Sequence, residues 1–544
     1  MPPDMACDEL ALRLHQGLSR QLAARGPVRT VETHISRLLL VGDDAYKFKK
    51  PLALGFLDFS SLAARRHFCE EELRLNRRTA PQIYLEVLPV LGPVDAPRLG
   101  RAGDAAHAQA ALDWVLHMRR FDDRQVFDRL DEQAALSPAR IDRLAQVLAG
   151  FHLRLQAEAA PAPEPHPGRT DRVGHWARDN LQALLSLPGG EPWHAALQAL
   201  QRWTLDGFER LRPLMARRLA AGRVRECHGD LHLGNLVLIE DEPVLFDAIE
   251  FNPELRWIDV VADLSFPFMD LLSRGHEALA WRLVSAWFEH TGDHEGAALL
   301  AWAAAYRALV RAKVALIQAG QLGGEARHEA LGKVRAGITL AQRLARRPAP
   351  RLVIVWGLSG TGKSTVAQQV VQALGALRLR SDVERKRLFG LQPSQRPAPA
   401  GQPGVGADQL YAPEATRRTY DRLEALASTV LAAGLSVVID AACLRRAERD
   451  ALRSLARTAG AEVLLLQCRA PVEALRQRLQ ARERRGDDAS DAGVAVLERQ
   501  LGFIEPPCAA EGPAVVALDT DVAPGLLPGR VREVLDAAFG PLEA

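Results

Sequence analysis

Leu352-Val353-Ile354-Val355-Trp356-Gly357-Leu358-Ser359-Gly360-Thr361-Gly362-Lys363-Ser364 decides the fold of the C-terminal part of the chain. Its first five residues are apolar and largely β-branched, as expected of a strand buried on both faces. The next eight match G-x-x-x-x-G-K-[ST], and Val366, Val370 and Leu374 follow at helical spacing. In a strand, glycine-rich turn and helix, successive backbone N–H groups can turn toward a phosphate, and the helix N-terminus reinforces them. Gly357, Ser359, Gly360, Thr361, Gly362, Lys363, Ser364 and Thr365 are therefore the candidate nucleotide-binding residues. Lys363 is expected to neutralise β/γ oxygens and the Ser364 hydroxyl to ligate Mg2+.

Downstream, strand-like runs at 352–356, 377–380, 435–440, 462–467 and 514–518 alternate with helical patterns. That alternation predicts an α/β domain with a parallel sheet covered on both faces. Asp382 follows the second strand, where ligands bind in open α/β sheets, and is placed to accept a substrate hydroxyl proton. Asp440 ends Val437-Val438-Ile439 and is a candidate to hold Mg2+ through water. Arg482, Arg484 and Arg485 precede Gly486-Asp487-Asp488-Ala489-Ser490-Asp491, as in a basic lid over transferring phosphate, with Arg484 and Arg485 taken as catalytic. Asp382 equally suits a helix cap, the arginines a solvated face and Asp440 a turn. The Pro- and Gly-dense segment 391–412 reads either as a mobile substrate loop or as a disordered insertion.

Together these features make residues 351–544 resemble the small-molecule P-loop kinases of the gluconate kinase, adenylylsulfate kinase and polynucleotide 5′-kinase type. The resemblance implies a mobile lid over a nucleoside-monophosphate-kinase-like core. Asp382, Arg385 and Lys386 match its general pattern of an acid and bases after the second strand.

Upstream, Cys227-His228-Gly229-Asp230-Leu231-His232-Leu233-Gly234-Asn235 contains H-x-D-x-x-x-x-N. With this spacing Asp230 would orient or accept the acceptor hydroxyl, while Asn235 ligates Mg2+. Asp247, ending Val244-Leu245-Phe246, would supply a second metal carboxylate. The set resembles the aminoglycoside phosphotransferase and choline kinase branch of the protein-kinase-like fold, over roughly residues 28–345. That implies a bilobal α+β domain with a small β-lobe and a large helical lobe. The β-lobe is legible as a hairpin, Ser36 to Val41 and Ala45 to Lys49, turning at Gly42-Asp43-Asp44. The resemblance also implies a β-lobe lysine, for which Lys47 is chosen and Lys49, on the same strand face, is the alternative. Its acidic partner lies on the helix 61–78 and is Glu71 or Glu72, with Glu72 carried forward. No glycine-rich loop precedes the lysine: Glu32-Thr33-His34-Ile35-Ser36 occupies that place, leaving hydroxyls and backbone to contact phosphate.

A chain of 544 residues exceeds one hydrophobic core. It divides into a helical extension (1–27), the kinase-like domain (28–345), a linker (346–350) and the P-loop domain (351–544). With 48% hydrophobic and 25% charged residues the composition is that of a globular protein, and a net charge of +2 offers no global field for nucleic acid or anionic membrane. Six scattered cysteines without a C-x-x-C pair, and an N-terminus without a basic run leading into an apolar one, point to the cytoplasm. The apolar stretch 297–319 is interrupted by Arg307, Arg311 and Lys313, so no membrane span is expected. The expected function is bifunctional ATP- and Mg2+-dependent phosphate transfer to small-molecule hydroxyl acceptors. The alternatives are an ATP-sensing N-terminal domain regulating a P-loop kinase, and a nucleic-acid 5′-hydroxyl kinase supported only by the basic residues 476–485.

Overall fold

The computed structural model describes all residues except 1–2, 55–56, 158–161, 163, 347, 394, 399–403, 486–489, 491, 509–510, 512–514 and 543–544. The chain forms two compact units. One comprises Met1–Arg143, Gly150–Ala177 and Arg212–Pro267; the other comprises Leu144–Ala149, Arg178–Leu211 and Phe268–Ala544. The linker expected at 346–350 thus falls inside the second unit.

In the first unit, strands β1 (Val28–Glu32), β2 (Ser36–Val41), β3 (Asp44–Lys49), β4 (Tyr84–Leu91), β5 (Arg98–Leu99) and β6 (Asp113–Arg119) form an antiparallel sheet in the order β1-β2-β3-β6-β4-β5. The expected hairpin is β2–β3, closing at Val41 opposite Asp44. Side chains alternate across a strand, so Leu39, Val41, Tyr46 and Phe48 pack with Leu14, Leu18 and Leu22 of helix α1 (Pro3–Leu22). Leu40 and Ala45 face the other way, into a cluster with Cys69 of helix α2 (Leu62–Asn76). Lys47 and Lys49 share the parity of Ala45 and so point toward α2. Helix α2 starts where the Ser61 hydroxyl accepts the Ala64 N–H, an N-cap worth about 1 kcal/mol. This unit also contains the ribbons Leu236–Ile239 with Glu242–Leu245, Val224–Glu226 with Trp257–Asp259, and Ala53–Leu54 with Leu57–Asp58.

The second unit contains helix α3 (Glu277–Thr291), the helices Ala297–Gln321 and Gly324–Ala345, and a five-stranded parallel sheet. Its strands are β7 (Arg351–Trp356), β8 (Ala376–Arg380), β9 (Ser436–Asp440), β10 (Glu462–Arg469) and β11 (Val515–Asp519), in the order β8-β9-β7-β10-β11. All five regions read as strands in the sequence are strands here, within two residues at each end. Leu352 to Trp356 are wholly buried, which is why this central strand is apolar throughout. Helix α4 (Lys363–Leu374) packs Val366, Val370 and Val371 onto Val353, Val355 and Leu466 of the sheet. Full burial of such side chains contributes roughly 1.5–3 kcal/mol each. Gly375, left-handed, ends the helix with its N–H on Val371 O. Among the described residues, no helix is long and apolar enough to cross a membrane.

Candidate functional site

Each unit brings candidate residues together, and in the first unit the loop 227–235 is fixed from beneath. Asp263 is wholly buried, and its carboxylate accepts the Gly229 N–H (2.9 Å) and the His228 N–H (3.3 Å), while His152 Nε2 lies 3.1 Å away. Gly229 has φ +87°, and a Cβ there would sit 2.8 Å from the Leu255 carbonyl, so the turn requires glycine. Burial pushes the His228 imidazole below its usual pKa, and its Nε2 lies 2.8 Å from Phe246 O. His228 is a strut. Asp230 is left partly exposed at the surface of the loop, its carbonyl accepting the Asn235 amide (2.8 Å).

Phe246 N–H donates to Asn235 O (3.1 Å), which draws Asp247 alongside the loop. Asp247 adopts φ +62°, uncommon for a non-glycine residue and found at sites where surrounding contacts fix the backbone. Here the Asp247 N–H donates to Tyr84 OH (3.0 Å) and the next N–H, of Ala248, to Asn76 Oδ1 (2.9 Å). The Asp247 carboxylate is thereby held 2.6 Å from Lys47 Nζ.

Lys47 also meets Glu72 Oε1 at 2.7 Å, and Lys49 meets Glu72 Oε2 at 2.8 Å and pairs with Glu250. Glu72, and not Glu71, is therefore the helix partner. One residue along a helix is a turn of about 100°, and Glu71 points instead to Arg74 and Arg256. Both lysines left open by the sequence reach the same carboxylate, but Lys47 alone of the two bonds Asp247. Burial alone would raise the Glu72 pKa, yet the two ammoniums hold it at about 2. Burial works against the charge of Lys47 too, and Asp247 and Glu72 lift it well above the usual lysine value.

In the second unit the loop after β7 wraps one end of a cavity of 460 Å3 lined by Ser359, Gly360, Gly362, Lys363, Ser364 and Thr365. Gly357 and Thr361 brace the loop without lining the cavity. A Cβ on Gly357 would lie 2.6 Å from Cys468 O, and Thr361 bonds Leu358 O through its hydroxyl and accepts the Thr520 hydroxyl at its carbonyl. Lys363 curls back so that Nζ donates to Leu358 O (2.8 Å); burial lowers its pKa, with Asp440 opposing.

Asp382, in the first turn of helix α5 (Ser381–Leu388), and Asp440, at the end of β9, line the same cavity. Asp440 Oδ2 is buried without a hydrogen bond, and Arg380 Nε stands 3.5 Å away. An orphaned carboxylate oxygen facing the same space as the Ser364 hydroxyl is a donor set that suits a hard divalent cation such as Mg2+. In the first unit Asp247, with Asn235 on the adjoining loop, offers oxygen donors of the same kind.

The basic lid differs from expectation. On helix α6 (Val472–Arg485), Arg478 and Arg482 line the cavity, four residues apart on one face, whereas Arg484 is turned about 200° from Arg482 and is exposed. The Arg485 side chain and most of 486–491 lie outside the described residues. Arg476 pairs with Glu498 and Arg478 with Asp521, so part of this basic run is locally neutralised. Arg385 lines the cavity while donating to Leu410 O and Thr416 Oγ1, but Lys386 is buried and donates to Pro393 O. Within 391–412 the described residues include a bridge between Ala398 and Gly406 and a short helix Ala407–Leu410; 394 and 399–403 lie outside them.

Sequence reasoning missed Gln500, whose Oε1 accepts the Ser359 N–H (2.8 Å), as well as Asp263, Tyr84 and the arginines of β8. Arg378 and Arg380, alternating along a mostly buried strand, were the one visible signal.

Residues 352–507 match the model of the AAA domain family. An uncharacterized protein of Mycobacterium tuberculosis, Rv2004c, is 30% identical over 473 residues, covering 87% of this chain and 90% of that protein. Among solved structures, a choline/ethanolamine kinase family protein from Mesorhizobium loti matches 62% of this chain and 100% of its own, at 15% identity and a TM-score of 0.36. A sugar kinase from Janibacter sp. matches 36% of this chain and 99% of its own, at 24% identity and a TM-score of 0.27.

Proposed function

We propose that this chain, which belongs to the same family as the mycobacterial protein Rv2004c, is an ATP-dependent kinase with two active sites, each passing the γ-phosphate of ATP to a hydroxyl of a small molecule. The observation that carries this reading is the grouping of Lys363, Ser364, Asp382 and Asp440 around one 460 Å3 cavity at the C-terminal ends of adjacent parallel strands. A phosphate-binding turn, a carboxylate for the acceptor proton and a carboxylate for a cation are what phosphoryl transfer requires of a protein, whose part is positioning and charge stabilisation.

In the P-loop site, the backbone N–H groups of Gly360 and of Gly362 to Ser364 cradle the phosphates, while the Ser359 N–H stays on Gln500, and Lys363 moves from the Leu358 carbonyl onto their oxygens. Asp382 accepts the acceptor's proton, and Arg478 and Arg482 face the charge that develops in transfer. In the first unit, Lys47 exchanges the Asp247 carboxylate for phosphate oxygens while Glu72 keeps it aimed, and Asp230 orients the acceptor hydroxyl. When bound, Mg2+ supplies neutralisation of the β/γ oxygens, held by Ser364 and Asp440 in one site and by Asn235 and Asp247 in the other. The reading sets the protein in the cytoplasm, where ATP is available.

The test is transfer from γ-labelled ATP into a metabolite extract by the wild type, Asp230→Ala and Lys363→Ala. Each single variant is expected to lose a different set of labelled products, and the double variant all of them. Labelling unchanged in both single variants refutes the proposal.

A further inference from the structure

The first and second arginines of β8 end on one carboxylate from a different part of the chain. Glu289, on α3, has a side chain 11% exposed; its Oε2 accepts from Arg378 Nε (3.0 Å) and Nη2 (2.8 Å), and its Oε1 lies 3.6 Å from Arg380 Nη1. Arg378 continues inward, its Nη1 donating to Ser364 O (3.4 Å) at the start of α4. Arg380 continues to Asp440, 3.5 Å away. A single carboxylate thus anchors two arms, one reaching the backbone of the loop lysine's neighbour and the other the cation-binding carboxylate.

The anchor is itself fixed. Ser285 Oγ, one turn earlier on α3, accepts the Arg378 N–H (3.0 Å), Arg387 donates to Glu289 O (2.6 Å), and Trp281 packs so closely on Gly375 that a Cβ there would meet its ring at 2.7 Å. Burial alone would push the Glu289 carboxyl up; Arg378 and Arg380 overcome that and hold it below its usual range. Glu289 is therefore charged, and Arg380 is shared between it and Asp440 at nearly equal distances.

We infer that Glu289 is a positioning residue of the P-loop site, one that competes with Asp440 for Arg380 so that the Asp440 carboxylate stays available to a divalent cation. The inference rests on reading the cavity as the MgATP site. With Glu289 neutralised, Arg380 loses one of the two carboxylates it is shared between, and it draws closer to the other, the cation ligand. Helix α3, which precedes the P-loop strand by some sixty residues, is in this sense part of the P-loop site.

The experiment is a Mn2+ titration, followed by electron paramagnetic resonance, of the full-length protein carrying Asp247→Asn and saturated with a non-hydrolysable ATP analogue. The background substitution weakens the other site, and a Lys363→Ala sample identifies the signal that belongs to the P-loop. Glu289→Gln is expected to weaken Mn2+ binding about tenfold, and Arg380→Gln in the same chain to restore it. Arg380→Gln alone is expected to bind Mn2+ at least as tightly as the parent, which keeps the test available if Glu289→Gln does not fold. Unchanged Mn2+ affinity in Glu289→Gln, or weaker binding in Arg380→Gln alone, overturns the positioning role. A parent protein with no Lys363-dependent analogue binding overturns the nucleotide-site reading itself, and the positioning role with it.

Discussion

Glu72→Gln removes the carboxylate that Lys47 and Lys49 share, in a place without solvent. The wild-type carboxyl is held at about 2 against its usual 4.5. At about 1.4 kcal/mol per pKa unit this gap amounts to ~3 kcal/mol, in line with the roughly 3–5 kcal/mol for removing one partner of a buried ion pair. Because the folded pKa is depressed, this stability is fully present above pH 4.5 and is lost as pH falls toward 2. Roughly 1 kcal/mol of it should remain at pH 3. Hydrogen exchange read by mass spectrometry over 44–49 and 62–76 reports the local opening free energy. The variant should open about 3 kcal/mol more easily at pH 7, a factor of roughly 150 in protection, with the gap narrowing by half or more at pH 3. A difference under 1 kcal/mol at pH 7, or one that does not narrow on acidification, refutes the account of Glu72 as the charged hub of this site.

Asp382→Asn should lower the turnover of the P-loop site by about 10²–10⁴ while leaving ATP-analogue binding nearly unchanged, a split that calorimetry and steady-state kinetics separate. Gly229→Ala forces a Cβ against the Leu255 carbonyl at φ +87° and should cost about 1–3 kcal/mol, seen as faster exchange in 227–235. Asp263→Asn keeps an acceptor for one backbone N–H and sets an amide donor against the other; Asp230-dependent transfer should fall by at least tenfold with little change in KM for ATP.

The strand Leu352–Trp356 was legible because full burial demands apolar residues at every position and the glycines after it permit few other backbones. Lys47 could be placed on the α2 face because strand parity is rigid, but Glu71 and Glu72 differ only by a rotation about the helix axis, which needs the packing of α2 to settle. Arg484 points away from the cavity for the same reason: a cluster of arginines in sequence is spread around a helix, and among the arginine side chains described on α6 only those of 478 and 482 line the cavity. Asp263 and Glu289 carry no local signature. Each acts on groups at least 34 residues away, through hydrogen bonds that exist only after the chain has folded.

Lys49 gives the first unit a property that a lone lysine–glutamate pair lacks. With Glu72 bridged by two ammoniums, one can leave to serve an incoming anion without baring a buried charge, and the helix that carries the glutamate has no electrostatic reason to swing away. The lobe is thus preset rather than assembled by its ligand. A Lys47→Met chain, blunted in its chemistry yet still neutralised at Glu72, then serves as a well-folded blank against which the products of the other active site can be read alone.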